Sequence, residues 1–301
     1  MVPTLNSRQQ LSLCLDSLQE NASEAETIVV NGPSTDGTSG LVRDHDGADI
    51  LIEVAERNIN VARNAGISES SGDIIALVGQ DTMIENEWYS TVINNFANSK
   101  HIITGPVHRE VTGGMTTETA EMNSIQGQQV TYFDGGNVIF RRSVLETLDG
   151  FDEYLNTGGA RDVAHRLANL SYHVSWQPDV SVLRRDVNDI EDRTAQNSNS
   201  SKIGLKYRSL AYRLVKNYGL RPTIIGRILR HAGVDAIDSL KDIGTDGYTP
   251  ALWFSNGRDV IKNIFRGSKD ATIARKQDQS PRRNPNGVSS RTDRIVAKYR
   301  D

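Results

Sequence analysis

The sequence predicts an α/β protein: a mostly parallel sheet flanked by helices, followed by a C-terminal basic helical region. Three observations carry this. The β-branched runs "TIVV" (27–30), "DILIEV" (49–54), "DIIALV" (73–78) and "HIITGPV" (101–107) alternate with helical segments at 38–45, 60–70 and 85–98, the pattern of parallel strands joined by crossover helices. Charge is divided unevenly, with 13 Lys+Arg against 29 Asp+Glu in residues 1–200 and 21 against 9 in residues 201–301. The second part opens on "SKIGLKYRSLAYRLVKNYG", where apolar residues recur at helical spacing among basic ones.

Taken in order, "VPTLN" reads as the end of a first strand and its turn. Fewer residues precede the turn than the roughly five or six of an ordinary strand, so either this strand is short or the sequence begins inside it. Asn6 suits a helix N-cap, and Leu11, Cys14, Leu15 and Leu18 then repeat as the buried stripe of a helix. After the four strands come "GGNVIFRRSVLETLDGFDE" and "GGARDVAHRLANLSYHVSWQPDVSV", read as a strand, two helices and a closing strand. The polar, turn-rich "DVNDIEDRTAQNSNSS" marks a linker or long loop and places a domain edge near residue 200. In residues 201–275, Ile203, Tyr207, Leu210, Ala211, Leu214 and Tyr218 form one helical face, with Lys202, Lys206, Arg208, Arg213 and Lys216 around it. Residues 276–301 are charged and poor in large apolar side chains, which predicts a loosely ordered tail.

The single cysteine, Cys14, excludes a disulfide framework and reads as a buried thiol. No run approaches the roughly 20 apolar residues of a membrane span, and the start lacks the layout of a signal peptide. The expected location is the cytoplasm, peripheral on the inner face of the cell membrane, because basic amphipathic helices of this kind lie on anionic surfaces. Packing of the same helices onto the acidic first part is the competing reading. The sequence carries no nucleic-acid reading motif. His165 and His173 have no second ligand at metal spacing.

Four segments in order, "VPTLN" with its helix, "IVVNGPSTDGTSGLV", "ERNINVARNAGISESSGDIIALVGQDTMIENEW", and "GGNVIFRR" through "GFDE" to "QPDVSVLRR", resemble the family 2 glycosyltransferases. The resemblance covers residues 2 to 186 and implies the GT-A fold, a Rossmann-like nucleotide-sugar domain over residues 1–200. It implies transfer of a sugar, with inversion, from a nucleotide-sugar donor to a glycan or lipid-linked acceptor in surface-glycan or glycoprotein biosynthesis. The alternative is a catalytically silent homologue serving as a glycan-binding or scaffold subunit.

Carried over residue by residue, the resemblance assigns Pro3, Thr4, Asn6, Asn31, Arg63, Gln80, Asp81 and Arg184 to the donor, and Asp134, Gly135, Gly136 and Asn137 to the acceptor. For Arg63 the alternative is a salt bridge on a helix surface. Where the family has Asp-X-Asp, this chain has Gly79, Gln80 and Asp81. Where the family often places a metal-ligating histidine, it has Arg184. Asp81 alone is left for Mg²⁺ or Mn²⁺, a weakened site, and Arg161 or Arg184 becomes the candidate for the missing positive charge. The family's Glu-Asp pair falls on Gly159 and Ala160, which leaves Asp162 as the candidate general base, with Asp134 and Asp152 behind it. Helix-start charge placement is the other reading of Asp162.

Overall fold

The computed structural model describes residues 1–111, 114–185, 199–241 and 250–300. The chain divides into two compact units, Met1–Tyr154 with Gly159–Val187 and Asn286–Asp301, and Leu155–Gly158 with Asn188–Pro285.

The first unit is built on β1 (Val2–Thr4), β2 (Ile28–Asn31) and β3 (Ile50–Val54), parallel and in that order. A second sheet has β4 (Ile74–Val78), β6 (Ile102–Thr104), β11 (Asn137–Arg141) and β12 (Ser175–Trp176) in the order β12-β6-β11-β4, with β11 antiparallel to both neighbours. Met1 joins the two sheets: its ammonium donates to Ala76 O at 3.0 Å and its carbonyl accepts from Val78 N at 3.1 Å. Strands of β-branched residues with both faces covered explain why β2 is buried at every position. Helices α1 (Arg8–Asn21), α2 (Thr38–Arg43), α3 (Ile59–Glu69) and α4 (Trp88–Ala97) are the crossovers. The α1 stripe of Leu11, Cys14, Leu15 and Leu18 is buried as its spacing predicts.

A further sheet, in the order β5-β13-β7-β8, comprises β5 (Thr82–Ile84), β7 (Val107–Val111), β8 (Gly114–Glu118) and β13 (Val182–Arg184). The hairpin β9 (Glu121–Ile125) with β10 (Gln128–Tyr132) precedes β11. Helices α5 (Arg142–Leu148) and α6 (Gly159–Asn169) follow it.

Residues 276–300 overturn the expectation of a loose tail. After a short 3₁₀ turn at Val288–Ser290, β14 (Ile295–Arg300) pairs antiparallel with β3 and covers its outer edge. The anchors are polar, which is why low apolar content concealed them. Arg294, buried, pairs with Glu153 and donates to Val288 O at 3.0 Å and Gly287 O at 2.7 Å. Arg291 Nε donates to Glu153 at 2.8 Å, and Ser289 Oγ donates to Asp149 at 2.6 Å.

The second unit contains α7 (Asn199–Tyr218), α8 (Pro222–Lys241) and α9 (Pro250–Gln277). On α7, Tyr207, Leu210, Ala211, Leu214 and Tyr218 are buried as expected, but Lys216 is buried too, its ammonium 5.4 Å from the Tyr212 ring centroid. A Cβ added at Gly267 would lie 2.3 Å from Arg208 O, so α7 and α9 approach at a distance only glycine permits. Arg275 donates to the last carbonyls of α7, Lys216 O at 2.7 Å and Asn217 O at 3.1 Å, where a cation meets the negative end of the helix dipole. Ile225, Leu229, Val234 and Ile237 of α8 and Ile261 and Phe265 of α9 are exposed, and Arg258, Lys262, Arg266 and Lys269 lie exposed along α9. Among the described residues, no helix is long and apolar enough to cross a membrane. The expected boundary near residue 200 adjoins residues 186–198, which lie outside the described set.

Candidate active site

The β1–α1 turn and the β2–α2 loop are knitted together by short polar side chains. Asn6, at a left-handed φ of 48°, accepts from Thr35 N at 2.8 Å, while its own N–H donates to Ser34 Oγ at 2.8 Å. Asp36, in "STDGT", accepts from Thr38 N at 3.1 Å and from Arg8 N at 3.0 Å, so one carboxylate ties the first turns of two helices. Burial opposes its charge, but these N–H groups and the Thr38 hydroxyl hold its carboxyl below the usual range. Asn31, buried at the end of β2, donates to Ser39 Oγ at 2.8 Å and accepts from Ser34 Oγ at 2.7 Å. Ser39 donates onward to Glu53 at 2.6 Å. Sequence reasoning missed Glu53, although a carboxylate near the end of the apolar run "DILIEV" was the available signal. Pro3 is buried within β1, and the Thr4 hydroxyl is buried with no hydrogen-bond partner among the described residues. Gln80 Oε1 accepts from Leu5 N at 2.9 Å, joining this group to the end of β4.

At that end, Gly79 N donates to Gly136 O at 2.9 Å. A Cβ at Gly136 would lie 3.0 Å from Gly79 N, which explains two glycines facing one another. Asp134 turns back on its own loop, accepting from Gly136 N at 2.6 Å. Arg184 reaches the same carboxylate because β13 pairs with β5 in a register that sets Arg184 opposite Thr82. Its NH1 and NH2 donate to Asp134 at 3.1 and 2.9 Å, and its Nε lies 3.3 Å from Asp81 Oδ2. Burial alone would raise the Asp134 carboxyl, but the Arg184 hydrogen bonds and charge, the Gly136 N–H and the Arg63 charge together hold it below the usual carboxylate range. Burial works against the Arg184 charge as well, yet Asp134 and Asp81 raise its pKa.

Arg63 is not the surface salt bridge that was the alternative. It is buried on α3, donates to Asn60 Oδ1 at 3.2 Å and Gly135 O at 2.9 Å, and stands 4.8 Å from the Phe151 ring centroid. Desolvation pushes it down to about 10, opposed by the charge of Asp134. A Cβ at Gly135 would lie 2.6 Å from Arg63 NH2.

Two of the assigned residues lie in the interior. Asn137 belongs to the core, not to an acceptor surface. It is fully buried, accepts from Trp88 Nε1 at 3.1 Å, and donates to Val180 O at 2.8 Å and Pro106 O at 3.3 Å. Asp162, the candidate general base, is fully buried, and its carboxylate accepts from Arg166 Nε at 2.8 Å, an internal ion pair in place of an open carboxylate. Arg166 spends its other donors on Leu148 O and Gly150 O, both at 2.8 Å. Asp152, also fully buried, accepts from Tyr154 N and Asn286 Nδ2. Arg161, the other candidate for the missing positive charge, pairs with Glu121 and lies over the Tyr132 ring. Asp81, Asp134, Arg184, Arg63 and Gly135 are therefore the members that this structure brings together.

Among the described residues, no cluster of three or more His, Cys, Asp or Glu side chains is placed to hold a metal ion. Asp81 and Asp134 both turn to the guanidinium of Arg184. A divalent cation requires several oxygen donors at short range, and here it would stand against a fixed cation. The residues present do not fit a protein-held Mg²⁺ or Mn²⁺.

Comparison with known proteins places this geometry in context. Residues 1–149 match the family described as Glycosyl transferase family 2. Glycosyltransferase AglE of Haloferax volcanii is 26% identical over 196 residues, 60% of this chain and 64% of its own length. The O-antigen chain rhamnosyltransferase WbaN of Salmonella anatum is 25% identical over 175 residues, 52% of this chain and 56% of its own length. The chain thus spans less than two thirds of these relatives. Among solved structures, S. aureus TarS 1–349 in complex with UDP-GlcNAc superposes with a TM-score of 0.59 at 17% identity, covering 92% of this chain and 89% of that chain. A mannosyltransferase of Pyrobaculum calidifontis, in complex with GDP-Man and Mn²⁺, gives a TM-score of 0.54 at 18% identity, covering 91% of this chain and 84% of that chain. The fold shared with these neighbours is GT-A.

Proposed function

Because this chain carries a family 2 glycosyltransferase domain over residues 1–149, we propose that it moves a sugar from a nucleotide-sugar donor to a glycan or lipid-linked acceptor in surface-glycan or glycoprotein biosynthesis. The observation that carries this reading is the convergence of Asp81, Asp134, Arg184 and Arg63 beside Gly79, at the C-terminal end of β4. Ligands of α/β sheets gather at such strand ends. The nucleoside lies against the β1–α1 turn and β2–α2 loop, where Thr4 has a spare buried hydroxyl.

The reaction is a single displacement with inversion. The acceptor oxygen bonds to the anomeric carbon as the bond to the diphosphate breaks, and the acceptor's proton passes to a carboxylate. Of the three carboxylates considered, Asp134 takes this role, since Asp162 and Asp152 are fully buried while the Asp134 side chain keeps 21% exposure. The charge released onto the diphosphate is met by Arg184 and Arg63.

The exposed apolar and basic residues of α8 and α9 support docking on the anionic inner face of the cell membrane, which would hold the enzyme beside a lipid-linked acceptor. A calorimetric and hydrolytic screen of UDP- and GDP-sugars tests the donor reading. Binding of one nucleotide class, weakened about tenfold by Thr4→Val or Gln80→Ala, is expected, a loss of roughly 1.4 kcal/mol. Absence of binding by every nucleotide sugar would overturn it. The engagement of both Asp81 and Asp134 by one arginine favours a second reading, a catalytically silent glycan-binding subunit. Nucleotide-sugar binding without hydrolysis or transfer to any acceptor glycan would select it.

A further inference from the structure

We infer that Arg184 is the charge that receives the donor's diphosphate, in place of a cation held by the protein; this rests on the donor reading given above. The Arg184 side chain is only 10% exposed, and it bridges Asp134 through two hydrogen bonds and Asp81 through its Nε edge. Among the described residues Nε itself has no hydrogen-bond partner, and its 3.3 Å approach to Asp81 is an ion pair only. A buried guanidinium with an unused donor is poised to exchange one carboxylate for a stronger acceptor, and a phosphate offers planar, bidentate acceptance. Arg63 reinforces it. That second guanidinium is also buried, its Nε likewise lacks a hydrogen-bond partner among the described residues, and it acts on Asp134 by charge.

The local charge balance explains why the site tolerates two such cations. Asp81 and Asp134 offset Arg184 and Arg63 in the free protein. An arriving diphosphate competes with those carboxylates for the guanidinium groups, and the carboxylates are left facing the reacting end of the donor. A divalent cation has no comparable entry, since both carboxylates that would hold it already face Arg184. Removing Arg184 should therefore do two opposite things. It should weaken diphosphate binding in the absence of metal, and it should free two carboxylates to accept one.

The test is titration calorimetry of the full chain with UDP, GDP, uridine and guanosine, in EDTA and in MnCl₂, for the unaltered protein, Arg184→Ala and Arg184→Lys. For the unaltered protein in EDTA, the diphosphate of the preferred base is expected to bind at least tenfold more tightly than its nucleoside, and Mn²⁺ to change this less than threefold. In Arg184→Ala that preference should vanish in EDTA and return with Mn²⁺, with circular dichroism confirming the fold. Arg184→Lys should keep part of the preference without metal, and it decides the question alone where the alanine variant does not fold. A diphosphate preference that appears only with Mn²⁺ in the unaltered protein, or one that survives Arg184→Ala in EDTA, would overturn the inference and leave the donor reading intact. Failure of all four ligands to bind under any condition would instead remove the donor reading and this inference with it.

Discussion

Asp162 accepts a hydrogen bond of 2.8 Å from Arg166, one helical turn along α6, and neither side chain is exposed. A buried pair of this kind is costly to break from one side, about 3–5 kcal/mol, because the survivor remains a desolvated charge. Asp162→Ala should therefore lower the denaturant midpoint sharply in chemical unfolding. Folded protein recovered at low temperature should retain nucleotide affinity. Unchanged stability combined with abolished turnover would restore Asp162 as a base.

Asn137 presents a second structural role in what read as an acceptor segment. Truncation to alanine strands the Trp88 indole N–H and weakens the satisfaction of Val180 O and Pro106 O. Each buried polar group left without a partner costs about 1–3 kcal/mol. Thermal unfolding of Asn137→Ala should show a loss of at least that size. A fluorescence shift of Trp88 would accompany it, since the indole loses its hydrogen bond.

The β14 clasp depends on Arg294. Its guanidinium is held by Glu153 and by the carbonyls of Gly287 and Val288. Arg294→Ala leaves Glu153 with Arg291 alone as its charge partner among the contacts described, and should destabilise by about 3 kcal/mol. Hydrogen exchange along β3 should quicken first, because its outer edge is the one β14 covers. Uniform exchange across both sheets would argue against a clasp.

Membrane docking, if it follows from α9, should fail when its exposed cations are replaced. Arg258, Lys262, Arg266 and Lys269 flank the exposed Ile261 and Phe265, and each basic residue near an anionic surface contributes about 1 kcal/mol. The fourfold glutamine variant should lose cosedimentation with phosphatidylglycerol vesicles at low salt. Equal binding by both proteins at low and high salt would exclude this face.

The parallel strands were legible because full burial demands uninterrupted β-branched runs, and the α1 stripe because its period is fixed by the helix. The β7–β10 region was not read as strands. Every residue of β8 is exposed, so no apolar alternation marks it. Asp162 stood at a position where helix-start charge and catalysis look alike, although the Arg166 spacing of four residues was a visible hint of pairing. Asn137 and β14 were hidden for a common reason: each is fixed by partners distant in sequence, Val180 for one and β3 with Glu153 for the other. Local pattern carries no information about such partners.

The antiparallel seat of β14 on β3 also sets an order of events during synthesis. All of the second unit is translated between those two strands. Until it has emerged, the nascent first unit presents an open edge of backbone donors and acceptors, the kind of surface on which unfinished sheets associate with one another. Contacts of such long sequence separation also form late in folding. Ribosome-bound chains arrested within α9 should consequently be more prone to aggregation and chaperone capture than chains released after β14.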